Sequence, residues 1–361
     1  MKNEKRISKY FIVISLLIIG IIPAINLYQD GYKDDFKKIF NTDIIESYVN
    51  YTVYKVFNKS LEQDRVITGK DGFLFLGNHN NNILHKRNGI FKSEKQVINT
   101  WADKLKDVQI WYENRGIRFA IVIAPNKHSV YKNKLPYWMN YKGQTFTDDL
   151  VEYARNKKIN ILDLRKTLIN NKDKYNHLLY LKTDTHWNGL GASIGYNETI
   201  KFLNKTYEES YKSVEYNLSY HKDRGKDLSN LLKISNILPK NHEESIWFKF
   251  KNDYDICVGN IEEKSLKLQE CTIKNNPITE TGQYTINKKP INNVNALILS
   301  DSFARLNSQL YNTTFNNVWK LHWLKIFGSR LSDFVTKYKP DIVIYQIVER
   351  DLDQYKIVKK L

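Results

Sequence analysis

The stretch Asn295-Ala-Leu-Ile-Leu-Ser300-Asp301-Ser302-Phe303 carries an uninterrupted apolar run straight into an Asp-Ser turn. A short apolar run closed by turn residues reads as a strand buried on both faces. Working outward, the same signature recurs. Arg118-Phe-Ala-Ile-Val-Ile-Ala124 ends abruptly at Pro125-Asn-Lys127-His128, Asn160-Ile-Leu-Asp-Leu164 is a third strand, and Asp341-Ile-Val-Ile-Tyr-Gln346 is the last. Helical spacing fills the gaps. Ser93 and Gln96 form a capping box ahead of Val97, Trp101, Leu105, Val108 and Tyr112, and Gly116 stops that helix. Further helices are expected near Asp148–Asn156, from Asn188 through about Phe202, after Ser302, and near Leu331–Tyr338. Strands alternating with helices predict an α/β protein with a doubly wound parallel sheet and helices on both faces. The rhythm is lost between about Thr206 and Pro290, which reads as an inserted, mixed or β segment on one side of the sheet.

In an open α/β sheet, reactive groups gather where strand ends lead into helix starts, and Ser302 lies at such a point. Its backbone N–H, at a helix start, is suited to stabilise an oxyanion. A second segment supplies its partners: Tyr180-Leu-Lys-Thr-Asp184-Thr-His186-Trp187-Asn188-Gly-Leu-Gly-Ala192. A serine hydroxyl needs a base within hydrogen-bond reach, and the imidazole needs a carboxylate to fix its tautomer. Asp184 and His186, two apart on a loop, can point into one site, with Trp187 and Asn188 beside them to shield and orient the pair. Each motif alone also has a plain reading: Asp184 as a helix cap with His186 in the core, and Ser300 or Ser302 as an N-cap. Together on one α/β frame they favour an enzyme. No further His or Cys stands at ligand spacing near the pair, so no metal is expected.

The N-terminus sets the expected compartment. Lys2, Lys5, Arg6 and Lys9 precede an uncharged apolar run from Phe11 to Leu27 that lacks a small-x-small cleavage site. The pattern is that of a signal peptide or a signal-anchor, and it favours an uncleaved membrane anchor over 1–29 and a juxtamembrane stalk over 30–65, with the chain beyond outside the cytoplasm. The formal net charge is +17, from 56 Lys+Arg against 39 Asp+Glu. That charge attracts polyanions, although much of the excess is lysine among Asn and Ile, a pattern that nucleotide bias also produces. For a domain outside the cell, nucleic acid is excluded as a natural partner and an envelope polymer fits. Aromatic residues make up 13% of the chain, which suits a folded, core-rich or carbohydrate-handling protein. The two cysteines, Cys257 and Cys271, are expected either as a disulfide or as two buried thiols.

Four blocks, with the closing strand, resemble the SGNH-type acetyltransferases of the AlgX/AlgJ group, which O-acetylate exopolysaccharides, and similar cell-wall polymer acetyltransferases. Gly69-Lys-Asp71-Gly72-Phe-Leu-Phe75 resembles the opening of that domain. Val122-Ile-Ala-Pro125-Asn-Lys127-His-Ser-Val130-Tyr131, on to Leu135-Pro136, resembles its Pro-x-Lys block. Thr183-Asp184-Thr-His186-Trp187-Asn188 resembles its Asp-x-His-Trp motif, and Ala296-Leu-Ile-Leu-Ser-Asp301-Ser302-Phe303 its nucleophile block, which usually reads Gly-Asp-Ser-Phe. Ile342-Val-Ile-Tyr-Gln346-Ile-Val-Glu349-Arg350 is similar to its final strand.

The resemblance covers roughly 66–205 and 290–355 and implies an SGNH-hydrolase-like domain over 66–361, interrupted at about 206–290. Asp-x-His precedes the serine, a circular permutation of the usual SGNH motif order. It implies Ser302 as nucleophile, His186 as base and Asp184 as its orienter, with no cofactor. Lys127, Tyr131 and Trp187 become candidates for substrate contact. The implied partners are a polysaccharide acceptor and a multi-pass membrane acyltransferase as acetyl donor. Ser300 departs from the family's glycine, and the Gly and Asn of the usual oxyanion hole have no counterpart. An acetyl esterase with the same triad and a non-catalytic polymer-binding protein remain the alternatives.

Overall fold

The computed structural model describes residues 2–30, 39–79, 81–87, 89, 95–139, 141 and 143–353. Ser93, the first half of the expected capping box, lies outside the described residues, as do positions 31–38 of the expected stalk and 354–361 of the expected domain. The apolar alternation that the sequence displays builds an eight-stranded sheet. Among the described residues the strands in chain order are β1 (Val66–Thr68), β2 (Leu74–Leu76), β3 (Arg118–Ala124), β4 (Ile161–Asp163), β5 (Tyr216–Asp223), β6 (Glu243–Phe250), β7 (Asp255–Ile261), β8 (Leu268–Asn275), β9 (Gln283–Asn287), β10 (Ala296–Ser300), β11 (Asn317–His322) and β12 (Ile342–Val348). The central order is β4-β3-β12-β10-β11-β9-β7-β8. Its first five strands are parallel, and β9, β7 and β8 are antiparallel.

Successive residues of the inner strands enter opposite cores, as the two-residue strand period requires. Ala120, Val122 and Ala124 of β3 join Ile342 and Ile344 of β12 and Ala296 and Ile298 of β10 on one face, under the helices Gly189–Tyr207 and Ala304–Thr314. Phe119, Ile121, Ile123, Val343, Ile347, Leu297 and Leu299 face the other, covered by the helices Lys95–Glu113, Phe146–Asn156 and Ser329–Tyr338. The sheet is doubly wound. The strand order reverses at β12, between β3 and β10, which places the crevice at the carboxyl ends of those strands.

Three features differ from the sequence expectation, and the cysteine pair takes one of its two expected forms. The inserted segment does not simply stand on one side of the sheet: its β7, β8 and β9 extend the sheet beyond β11, and only the β5–β6 hairpin forms a separate pair. Cys257 on β7 and Cys271 on β8 are bonded as a disulfide across that edge. The helix Lys95–Glu113 turns inward through Ile98, and Val97 is exposed. Lys9–Tyr28 of the helix Lys2–Asp30 is long and apolar enough, by length and composition, to cross a membrane. The helix Asp43–Phe57 follows, and its Tyr54 is buried in the domain core, so this part of the expected stalk docks on the domain.

Candidate active site

β10 ends at the buried Ser300, and the chain turns through Asp301-Ser302-Phe303 into the helix Ala304–Thr314. Asp301 fixes that turn. Its carboxylate accepts the Phe303 amide at 2.8 Å and the Val348 amide at the end of β12 at 2.7 Å. Burial raises the Asp301 pKa despite both donors. Ser302 is thereby left exposed at the sheet's crevice. The Ser300 hydroxyl is buried and has no hydrogen-bond partner among the described residues.

The loop carrying Asp184 and His186 arrives from the other side. The Asn188 side chain caps the helix Gly189–Tyr207, accepting the amides of Leu190 and Gly191 at 3.0 and 3.1 Å. Its Nδ2 donates to the Leu178 carbonyl at 2.6 Å, so both ends of the amide serve the loop. His186 then faces Ser302, with Nε2 and Oγ 2.8 Å apart, and its Nδ1 donates to Asp184 Oδ1 at 2.7 Å. The same Asp184 oxygen accepts the His186 amide at 2.9 Å. Burial acts to raise the Asp184 pKa, but the His186 hydrogen bonds, the His186 charge and the Lys127 charge hold it below the ordinary value. Ser302 hydroxyl, imidazole and carboxylate therefore form one continuous hydrogen-bonded chain, able to move a proton from hydroxyl to ring.

Of the three residues expected at the substrate, only Trp187 lines the cleft of about 200 Å³ at Ser302. Lys127 lies beneath, 2% exposed, and donates to the carbonyls of Leu181 and Lys182 at 3.1 and 2.8 Å and to that of Asp184. Burial lowers its pKa to about 8. Tyr131, also buried, accepts the Leu179 amide on its hydroxyl at 2.8 Å and packs against Tyr180. Both are posts under the motif loop and touch no part of the cleft.

The inserted segment completes the site, which sequence reasoning missed. Asp227 accepts the Thr185 amide at 2.9 Å and the Thr185 hydroxyl at 2.6 Å, and its Oδ2 stands 3.7 Å from His186 Nδ1. Burial, then the charge of Asp184, raises the Asp227 pKa. Glu243, at the start of β6, accepts the Lys182 amide at 3.0 Å and both the amide and hydroxyl of Thr183. Lys226, Ser245 and Trp247 line the cleft itself. The polar-aromatic alternation of 245–250 is a strand signal in the sequence, but nothing in it points to the motif loop. Among the described residues, Asp184, His186 and Asp227 are the only group of three or more His, Cys, Asp or Glu residues whose donor atoms all lie within 4.8 Å of one another. Those atoms are already engaged with one another and with Thr185, which suits a proton relay better than a cation.

The family described as "SGNH hydrolase-like domain, acetyltransferase AlgX" matches residues 66–245. A curated protein of Pseudomonas aeruginosa, "Probable alginate O-acetylase AlgJ", is 30% identical over 134 residues, covering 35% of this chain and 30% of that protein's length. Among solved structures, PatB1 of Bacillus cereus aligns over 80% of this chain and 96% of its own, with a TM-score of 0.56 at 16% identity. A DHHW family protein of Eubacterium siraeum aligns over 82% and 95%, with a TM-score of 0.57 at 13% identity. At those identities the two structures share the fold.

Proposed function

We propose that this chain, whose residues 66–245 match the SGNH hydrolase-like family of AlgX-type acetyltransferases, transfers acetyl groups to hydroxyls of a cell-surface or cell-wall polysaccharide. The observation that carries this reading is the unbroken line from Ser302 Oγ through His186 to Asp184. In the first half-reaction, Ser302 Oγ bonds to the acetyl carbonyl carbon of a donor ester while its proton passes to His186 Nε2. The donor alcohol departs with that proton, leaving acetyl-Ser302. In the second, a sugar hydroxyl gives its proton to His186 and attacks the acetyl carbon. Ser302 Oγ leaves and takes the proton back. Asp184 holds the Nδ1–H tautomer and steadies the imidazolium. The Ser302 backbone N–H is the oxyanion donor, since the Phe303 amide is committed to Asp301 and the Asn188 amide group to the helix cap.

An extracytoplasmic domain held by the helix through Lys9–Tyr28, with acetyl delivered by a multi-pass membrane acyltransferase, fits the basic flank before that helix and the disulfide. Incubation with p-nitrophenyl acetate followed by intact-mass analysis tests the nucleophile. One acetyl adduct should appear, localise to Ser302 and be absent in Ser302→Ala. An adduct that persists in Ser302→Ala would overturn the assignment. Acetate release with no sugar acetylation for any acceptor would convert the reading to an esterase.

A further inference from the structure

Trp187 was a candidate for substrate contact, yet its structural commitments leave it no free face. It is 1% exposed, its Nε1 donates to the Phe303 carbonyl at 2.9 Å, and Phe303 packs edge-on against it. Trp247 is in the opposite situation. Along β6, Ile246, Phe248 and Phe250 pack on the core, and the strand period turns Trp247 and Ser245 the other way; Ser245, Ile246 and Trp247 all line the cleft with Ser302 and His186. Trp247 is only partly buried. Among the described residues its indole stacks on no other ring and its N–H has no protein acceptor.

We infer that Trp247 is the acceptor platform of this site: its indole receives the apolar face of a pyranose ring and brings one ring hydroxyl to His186 and acetyl-Ser302. The inference rests on the acetyl-transfer reading above. A pyranose offers a flat patch of C–H groups ringed by hydroxyls, which an indole matches with an apolar face and one N–H donor. The platform is rigidly placed relative to the triad. β6 pairs with β5 along its whole length, with Trp247 opposite Ser219. Its backbone presses on the first turn of the motif helix, where a Cβ on Gly189 would lie 2.1 Å from the Ile246 carbonyl oxygen. Glu243, at its start, grips the loop at Lys182 and Thr183. A ring seated there covers the acyl-serine and displaces water, so the same contact that selects the acceptor favours transfer over hydrolysis.

The test uses the full chain with p-nitrophenyl acetate as donor and, as acceptor probes, β-1,4-linked glucose pentasaccharide and an oligomannuronate. Trp247→Leu should lower the ratio of acetylated sugar to free acetate about tenfold, the loss expected for one aromatic contact. Trp247→Phe, which keeps a flat ring, should recover most of that ratio. A binding readout independent of turnover uses Ser302→Ala protein, where the Trp247 indole N–H resonance, assigned by its loss in Trp247→Phe, should shift on adding the pentasaccharide or the oligomannuronate. An unchanged ratio in Trp247→Leu, or an indole resonance that both saccharides leave in place, overturns the platform. Failure of acetyl-Ser302 to form at all would instead sink the parent reading, and the resonance shift would still report on the platform.

Discussion

Glu243 and Thr183 lie 60 residues apart in the chain, yet one carboxylate oxygen of Glu243 receives both the amide and the hydroxyl of Thr183, the residue before Asp184. The inserted segment thus grips the Asp184–His186 loop from outside while Lys127 holds its carbonyls from within.

Glu243→Gln should lower acetyl-ester turnover at least about tenfold and cost about 2 kcal/mol of stability, because a neutral amide replaces a charged acceptor of buried donors. Steady-state kinetics and urea unfolding measure the two effects. Full activity in a correctly folded variant would show that the loop does not need this grip.

Lys320 of β11 gives a pH dependence with a definite sign. Its buried ammonium donates to the carbonyls of Thr279 and Ala304 at 2.8 and 2.9 Å, and burial lowers its pKa from 10.5 to about 7. Between those values the unfolded chain holds a proton that the folded protein has released, so stability from this group rises with pH across the window. It is lost as pH falls through about 7. The slope is at most about 1.4 kcal/mol per pH unit. Subtracting the urea-unfolding free energy of Lys320→Met from that of the parent at several pH values should give a rising difference, and a flat one would place the Lys320 proton elsewhere.

The Cys257–Cys271 disulfide closes a loop with a sequence separation of 14 at the sheet's far edge. Replacing both cysteines by alanine should cost about 3 kcal/mol. The rate per folded molecule should stay as it was, since neither cysteine lines the cleft. Urea unfolding and active-site titration separate the two quantities, and a cost below about 1 kcal/mol would show that the edge hairpin gains little from the bond.

Protease added to intact spheroplasts should digest the domain after the apolar Lys9–Tyr28 segment while the membrane stays sealed. A domain protected until detergent is added would reverse the proposed orientation.

Much of this was legible because local patterning and tertiary role coincide. β3, β10 and β12 are apolar on both faces, so their runs stand out, and the turn after β10 announces Ser302. β11 was not seen because the buried Lys320 interrupts Val318, Trp319 and Leu321, and a lysine inside a strand reads as solvent-facing until its two carbonyl partners are known. Lys127 misled for the same reason: its type suggests substrate, whereas its burial and three carbonyls make it a support. Asp227, Glu243 and Trp247 act across sequence gaps that no spacing encodes, so they became readable only in three dimensions.

The hairpin that stands apart from the central sheet has an evolutionary consequence. The proposed Ser302–His186–Asp184 relay sits at the sheet's crevice, while residues from 206–290 supply both one wall of the cleft and two supports of the motif loop, Asp227 and Glu243. A lineage that exchanged this segment would alter its recognition surface and would have to replace those two supports in the same step. Gly189 is the gatekeeper of that exchange: any inherited replacement for β6 must still lay its backbone against a residue with no side chain.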